Sequence, residues 1–148
     1  MDIVEEVVRQ RTTIAVDDPE RAYPELRDLL ERRMSFDGVE EPQYFNDVDE
    51  GTIRSEITTI EGFDTRTEEQ LDITVFISKE QREMDIQVRG KLVTSYSTKG
   101  YKGTLWYYAY IALYDKFLYG KNRHRWEHGV EEKVEELMHR VRENLEAH

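Results

Sequence analysis

Leu71-Asp72-Ile73-Thr74-Val75-Phe76-Ile77-Ser78, then Lys79 to Arg82, then Glu83-Met84-Asp85-Ile86-Gln87-Val88-Arg89-Gly90-Lys91-Leu92 is the stretch on which the fold turns. Leu71, Ile73, Val75 and Ile77 take one parity, and Asp72, Thr74, Phe76 and Ser78 the other. Met84, Ile86, Val88 and Leu92 repeat the alternation against Asp85, Gln87, Arg89 and Lys91. A period of two places alternate side chains on opposite faces of a strand. The short Lys79–Arg82 connection makes the two strands antiparallel neighbours. One face is apolar and the other polar, so the sheet is covered on one side only.

The pattern extends upstream. Ile53 and Ile57 alternate with Arg54 and Glu56, and Gly62 to Thr65 supplies a turn into the strand at Leu71. From Thr12 to Val16 a further strand is expected. Val4, Val8, Ile14 and Val16 share one parity with Thr12, while Arg9, Arg11 and Thr13 take the other; Ile3, Val4, Val7 and Val8 also fit one helical turn. Between these strands, Asp17-Asp18-Pro19-Glu20 reads as a helix start. Asp18 caps, Pro19 suits the first helical position and Glu20 sits at the positive end of the dipole. Tyr23, Leu26, Leu29, Leu30 and Met34 form the apolar face of a helix running to about Arg33. Pro24 forbids the hydrogen bond back to Glu20, which predicts a kink or a second start. Residues 34–46, with Gly38, Pro42 and several acids, read as a loop.

The C-terminal segment is helical. Trp126, Val130, Val134, Leu137, Met138, Val141 and Leu145 follow the helical repeat, with Glu131, Glu132, Glu135, Glu136, Arg140 and Glu143 opposite. Gly129 weakens the first turn and is a candidate start.

Between sheet and helix lies the aromatic run. Leu105 to Tyr114 contains no charge and five aromatic residues. Periodicity does not decide a continuous apolar run between strand and helix; a strand from about Tyr101 to Tyr110 and a helical turn from Lys116 to Tyr119 are expected, after Gly100 and Gly103 as turn points.

Composition narrows the function classes. The 148 residues are enough for one domain with its own core. Zero Cys removes disulfides, thiolate chemistry and Cys-based zinc sites, as expected in a cytoplasmic protein. The start, Met1-Asp2-Ile3-Val4-Glu5-Glu6, is acidic where a secretory leader is basic. The net charge of -11 argues against general nucleic-acid binding, because the phosphate backbone would repel it. Only seven of the 21 basic residues are Lys. Acid excess, scarce Lys and no Cys match a salt-adapted archaeal cytoplasm; the competing reading is an ordinary acidic protein. The charge is uneven: -12 over residues 1–95, +5 over 96–126 and -4 over 127–148.

The order of strand, helix, antiparallel meander and long C-terminal helix resembles the START-like, or SRPBCC, helix-grip superfamily. Locally the resemblance is carried by Thr12-Thr13-Ile14-Ala15-Val16-Asp17-Asp18-Pro19-Glu20-Arg21-Ala22-Tyr23 and by the helix from Gly129. It implies an α+β domain spanning 1–148. A curved antiparallel sheet of five to seven strands carries an N-terminal helix and a long C-terminal helix on one face. It also implies a hydrophobic cavity between sheet and helix, and so binding of an apolar small molecule or lipid.

The expected ligand contacts are Tyr96, Trp106, Tyr108, Tyr110, Tyr114, Phe117 and Trp126, which can present both ring surface and hydroxyl or indole donors. Lys116, Lys121, Arg123 and Arg125 follow as contacts to an anionic group, including a phospholipid head group at a peripheral membrane surface. Against this stands plain core packing of the aromatics beneath the last helix. A second functional reading is a cavity-free module docking its aromatic, basic band on a membrane or protein. A third is an enzyme acting on a bound apolar substrate. No catalytic residue is singled out: capping accounts for Asp17 and Asp18, and Ser95, Ser97 and Thr98 have no nearby base. No cofactor is implied. His124 and His128 share a helical face, but Glu127 is misplaced for the zincin order and no third ligand follows in register, so no metal is assigned.

Overall fold

The alternation of residues 71–92 forms the middle of a five-stranded antiparallel sheet. The computed structural model describes residues 2–34, 36–63, 67–95 and 120–146. β1 (Asp2–Ala15) is followed by α1 (Pro19–Asp28), which passes into a π-helical turn at Leu29–Arg33. β2 (Gly38–Asp47), β3 (Thr52–Gly62), β4 (Thr67–Ser78), β5 (Glu83–Ser95) and the helix α2 (Gly120–Leu145) complete the described elements. The strand order is β1-β5-β4-β3-β2, so the chain between β1 and β2, including α1, joins the two outer strands of this set.

Register explains why one face is dry. Ile53, Ile77, Met84 and Ile14 are successive cross-strand partners, and so are Ile57, Ile73 and Val88. All seven side chains are buried. The other face carries Arg54, Glu56 and Thr74 in water, with Arg11 paired to Asp85 and Lys91 Nζ 2.5 Å from Asp72. The dry face is covered by α2, whose Trp126, Val130, Val134, Leu137, Met138, Val141 and Leu145 are all buried, as the helical repeat requires. α2 packs on β1 and β5, and α1 also contacts it. Tyr23, Leu26, Leu29, Leu30 and Met34 bury the apolar face of α1 and its π-helical extension. Each fully buried Leu or Ile contributes about 1.5–3 kcal/mol of transfer free energy. Among the described residues no helix is long and apolar enough to cross a membrane.

Several expectations change. Residues 38–47 are a strand, not a loop. β2 pairs only with β3 in the described sheet, and most of its side chains face solvent, so it needs no apolar alternation. Pro42 is tolerated because the register shifts between Glu40 and Gln43, where the missing N–H interrupts no ladder bond. β1 begins at Asp2, ten residues before Thr12, and a register shift between Glu6 and Val8 inserts Val7 into it. One extra residue reverses the facing of everything before it. Val4 is therefore 57% exposed instead of sharing the inner face with Ile14.

Asp18 Oδ1 accepts from Glu20 N at 3.2 Å with Pro19 at the first helical position, as the start signal implied. Pro24 neither ends α1 nor restarts it; the change of helix type comes at Leu29. α2 begins at Gly120, so Gly129 lies inside it.

Candidate functional site at the polar end of the inner face

The inner face is not apolar along its whole length. One step beyond Leu71, the row across β3, β4, β5 and β1 reads Glu61, Glu69, Leu92 and Glu5. Thr67 and Thr94 are partners in the next row, and Thr59 sits opposite Leu71 in the row before. Strand geometry alone forces these groups inward, because Thr67 and Glu69 share the parity of Leu71 and Ile73. Thr59, Thr67, Glu69 and Thr94 are all buried to within 2% exposure, which removes the possibility that bulk water serves them.

Glu69 is the centre of this patch. Burial pushes its carboxyl up from 4.5 to about 8, and a hydrogen bond and like charge from Glu61 push the same way. Lys133 on α2 pulls down and Glu136 pushes up, both more weakly. Near neutral pH the Glu69 carboxyl therefore keeps its proton, the usual outcome for an acid buried beside a second acid. Lys133 Nζ lies 3.4 Å from Glu61, 3.9 Å from Glu136 and 5.5 Å above the Phe36 ring. Its charge is already occupied. Glu69 Oε1, Thr59 Oγ1 and Thr94 Oγ1 have no hydrogen-bond partner among the described residues. A buried polar atom left this way costs about 1–3 kcal/mol.

Trp126 closes this end. Its indole stacks on Phe63 with ring centroids 6.0 Å apart and planes 11° from parallel. Phe63 is held in turn by its N–H donating to the Thr67 carbonyl at 2.9 Å. Trp126 is the one expected ligand contact whose side chain is described, and Phe63 links it to this patch.

Of the other expected contacts, Tyr96, Trp106, Tyr108, Tyr110, Tyr114, Phe117 and Lys116 lie outside the described residues. Lys121 and Arg123 belong to the first turn of α2, and Arg125, one turn on, is exposed. His128 faces Glu132 at 2.9 Å along the helix. Glu69, Thr59 and Thr94 were not singled out from sequence. The signal was the alternation itself: carried two steps before Leu71, it puts a carboxyl on the apolar parity.

A second polar cluster lies between α1 and the strands β2 and β3. Tyr23 Oη donates to Glu41 and lies 2.9 Å from Ser55 Oγ, which also reaches the Gln43 carbonyl at 3.2 Å. Arg27 Nη1 is 3.0 Å from Glu41 Oε2 but off the hydrogen-bonding angle, so it acts there as a charge. Burial, then the bond to Glu41, push the Tyr23 phenol up to about 12, so it stays a neutral donor. Apart from Arg27 Nη1, these groups satisfy one another, and they fasten helix to sheet. Beyond them an open groove of about 840 Å³ includes Tyr44, Phe45, Arg54 and Phe76, with the Arg54 guanidinium 5.1 Å above the Phe76 ring. Among the described residues it holds no buried unpartnered polar atom, and for that reason the patch around Glu69 is the better candidate site.

No protein-family model and no curated protein matches this sequence. Among solved structures, an uncharacterised protein from Rhizobium leguminosarum aligns at 10% identity, over 68% of this chain and 86% of that one, with a TM-score of 0.25. A likeness that weak carries no argument about fold or function.

Proposed function

We propose that this chain binds a small apolar or amphipathic molecule between the inner face of its sheet and α2, as a helix-grip domain of the START-like kind. The observation that carries the reading is the set of three buried oxygens, on Glu69, Thr59 and Thr94, that have no partner among the described residues, at the end of a mostly apolar interior. An apolar lining with a few convergent polar groups is the general character of a small-molecule site. The strand order β1-β5-β4-β3-β2 with α2 laid over β1 and β5 suits the helix-grip assignment.

Urea denaturation with and without amphiphiles tests the reading. A ligand held at a hundred times its Kd stabilises the folded state by about 2.7 kcal/mol, which moves the midpoint visibly. A panel of decyl compounds that leaves the midpoint unmoved overturns the proposal, and the oxygens are then served by buried water.

A further inference from the structure

We infer that the polar end of this interior selects a ligand whose head group donates a hydrogen bond, a neutral hydroxyl rather than a carboxylate. The inference rests on the binding reading above and names its ligand class.

The argument is one of donors and acceptors. Glu69 Oε1 is a lone-pair site with nothing donating to it among the described residues. Thr59 and Thr94 each offer a hydroxyl that can give one hydrogen bond and accept others. A ligand hydroxyl satisfies both kinds at once, donating to Glu69 and accepting from a threonine. A carboxylate offers only lone pairs and would set them against Glu69 Oε1. It would also add a negative charge beside Glu61 and Glu69, which are cross-strand partners. The cation that acts on Glu69 is Lys133, already shared between Glu61 and Glu136. An ether of the same chain accepts but cannot donate, which separates a true donor requirement from simple greasiness.

The experiment is a calorimetric or fluorescence titration of the full chain near neutral pH with 1-decanol, decyl methyl ether and decanoate. The alcohol is expected to bind about tenfold tighter than the ether, although the ether is the more apolar of the two, and tighter still than decanoate. Thr94→Val, which keeps the side-chain shape, is expected to weaken decanol about threefold to tenfold and to leave the ether within twofold. Glu69→Leu should erase the preference for alcohol over ether. Should Glu69→Leu fail to fold, Thr94→Val and the wild-type series decide alone. Ether or decanoate binding as tightly as the alcohol overturns the head-group inference and leaves the binding reading standing. So does an alcohol preference that survives both substitutions. Failure of all three compounds to bind overturns both.

Discussion

Gly90 on β5 lies so close beneath Val130 on α2 that a Cβ on the glycine would fall 2.6 Å from Val130 Cγ1. The same atom would stand 2.7 Å from Val8 Cγ1 and 3.1 Å from Val134 Cγ2. Only a residue without a side chain lets α2 seat against the sheet at this crossing. Val130 and Val134 cannot step aside cheaply, because β-branched side chains have one favoured rotamer in a helix. Gly90→Ala should therefore destabilise by about 1–3 kcal/mol, the cost of overpacking a core. Gly129 gives the opposite sign. It lies inside α2, and a Cβ there meets Phe63 at 3.6 Å, an ordinary contact. Gly129→Ala should stabilise by about 1 kcal/mol through helix propensity. Urea midpoints of the two variants check both signs in one series.

Glu69 makes stability depend on pH in an unusual direction. Its carboxyl titrates near 4.5 when unfolded and at about 8 when folded. Between those values the folded chain holds a proton that the unfolded chain has lost. The contribution is fully present below pH 4.5 and is lost as pH rises through 8, with a slope approaching about 1.4 kcal/mol per pH unit. The charged groups facing it are Glu61 on β3 and Lys133 and Glu136 on α2, and Glu5 is at the same row on β1. Asp72 works the other way. Burial pushes it up, but hydrogen bonds from Lys91, Gln70 and Thr58 and the Lys91 charge together hold it below the usual carboxylate range. Its contribution is present above that range and is lost in acid. Urea midpoints at about pH 5.5 and about pH 9 should converge in Glu69→Gln relative to wild type. An unchanged pH slope in that variant would show that Glu69 is not the titrating group.

Tyr23 ties α1 to β2 and β3 through Glu41 and Ser55. Tyr23→Phe keeps the ring, including its 5.0 Å contact with Tyr44, and removes only the hydroxyl. The loss should be about 1–3 kcal/mol, because a carboxylate and a buried hydroxyl lose their partner. A change within about 0.5 kcal/mol, as at a surface site, would mean that the cluster is solvated and does not fasten the helix.

The elements that face one another across the core were legible in the sequence, and those at the margins were not. Trp126 to Leu145 and Leu71 to Leu92 each bury a continuous stripe, and a stripe leaves a period. β2 buries almost nothing, so Gly38 and Pro42 outweighed every strand signal there. The bulge at Val7 is a matter of pairing with β5, which no local pattern records, and it turned Val4 outward. Glu69 is the instructive miss. Charge led the eye to solvent, while its parity with Leu71 pointed inward. The aromatic run from Leu105 to Tyr114 was the first candidate for contact, and of the expected aromatic contacts only Trp126 is placed by the described residues.

Trp126 gives the most direct measurement of the binding reading. It is 5% exposed, stacked on Phe63 at the polar end of the interior, and Trp106 is the only other Trp in the chain. In Trp106→Phe all indole emission comes from this one position. Titrating that variant with 1-decanol should give a saturable shift or quench of the emission, with a Kd below about 1 mM, equivalent to about -4 kcal/mol. An emission that stays constant, or drifts linearly without saturating, would contradict ligand binding between the sheet and α2.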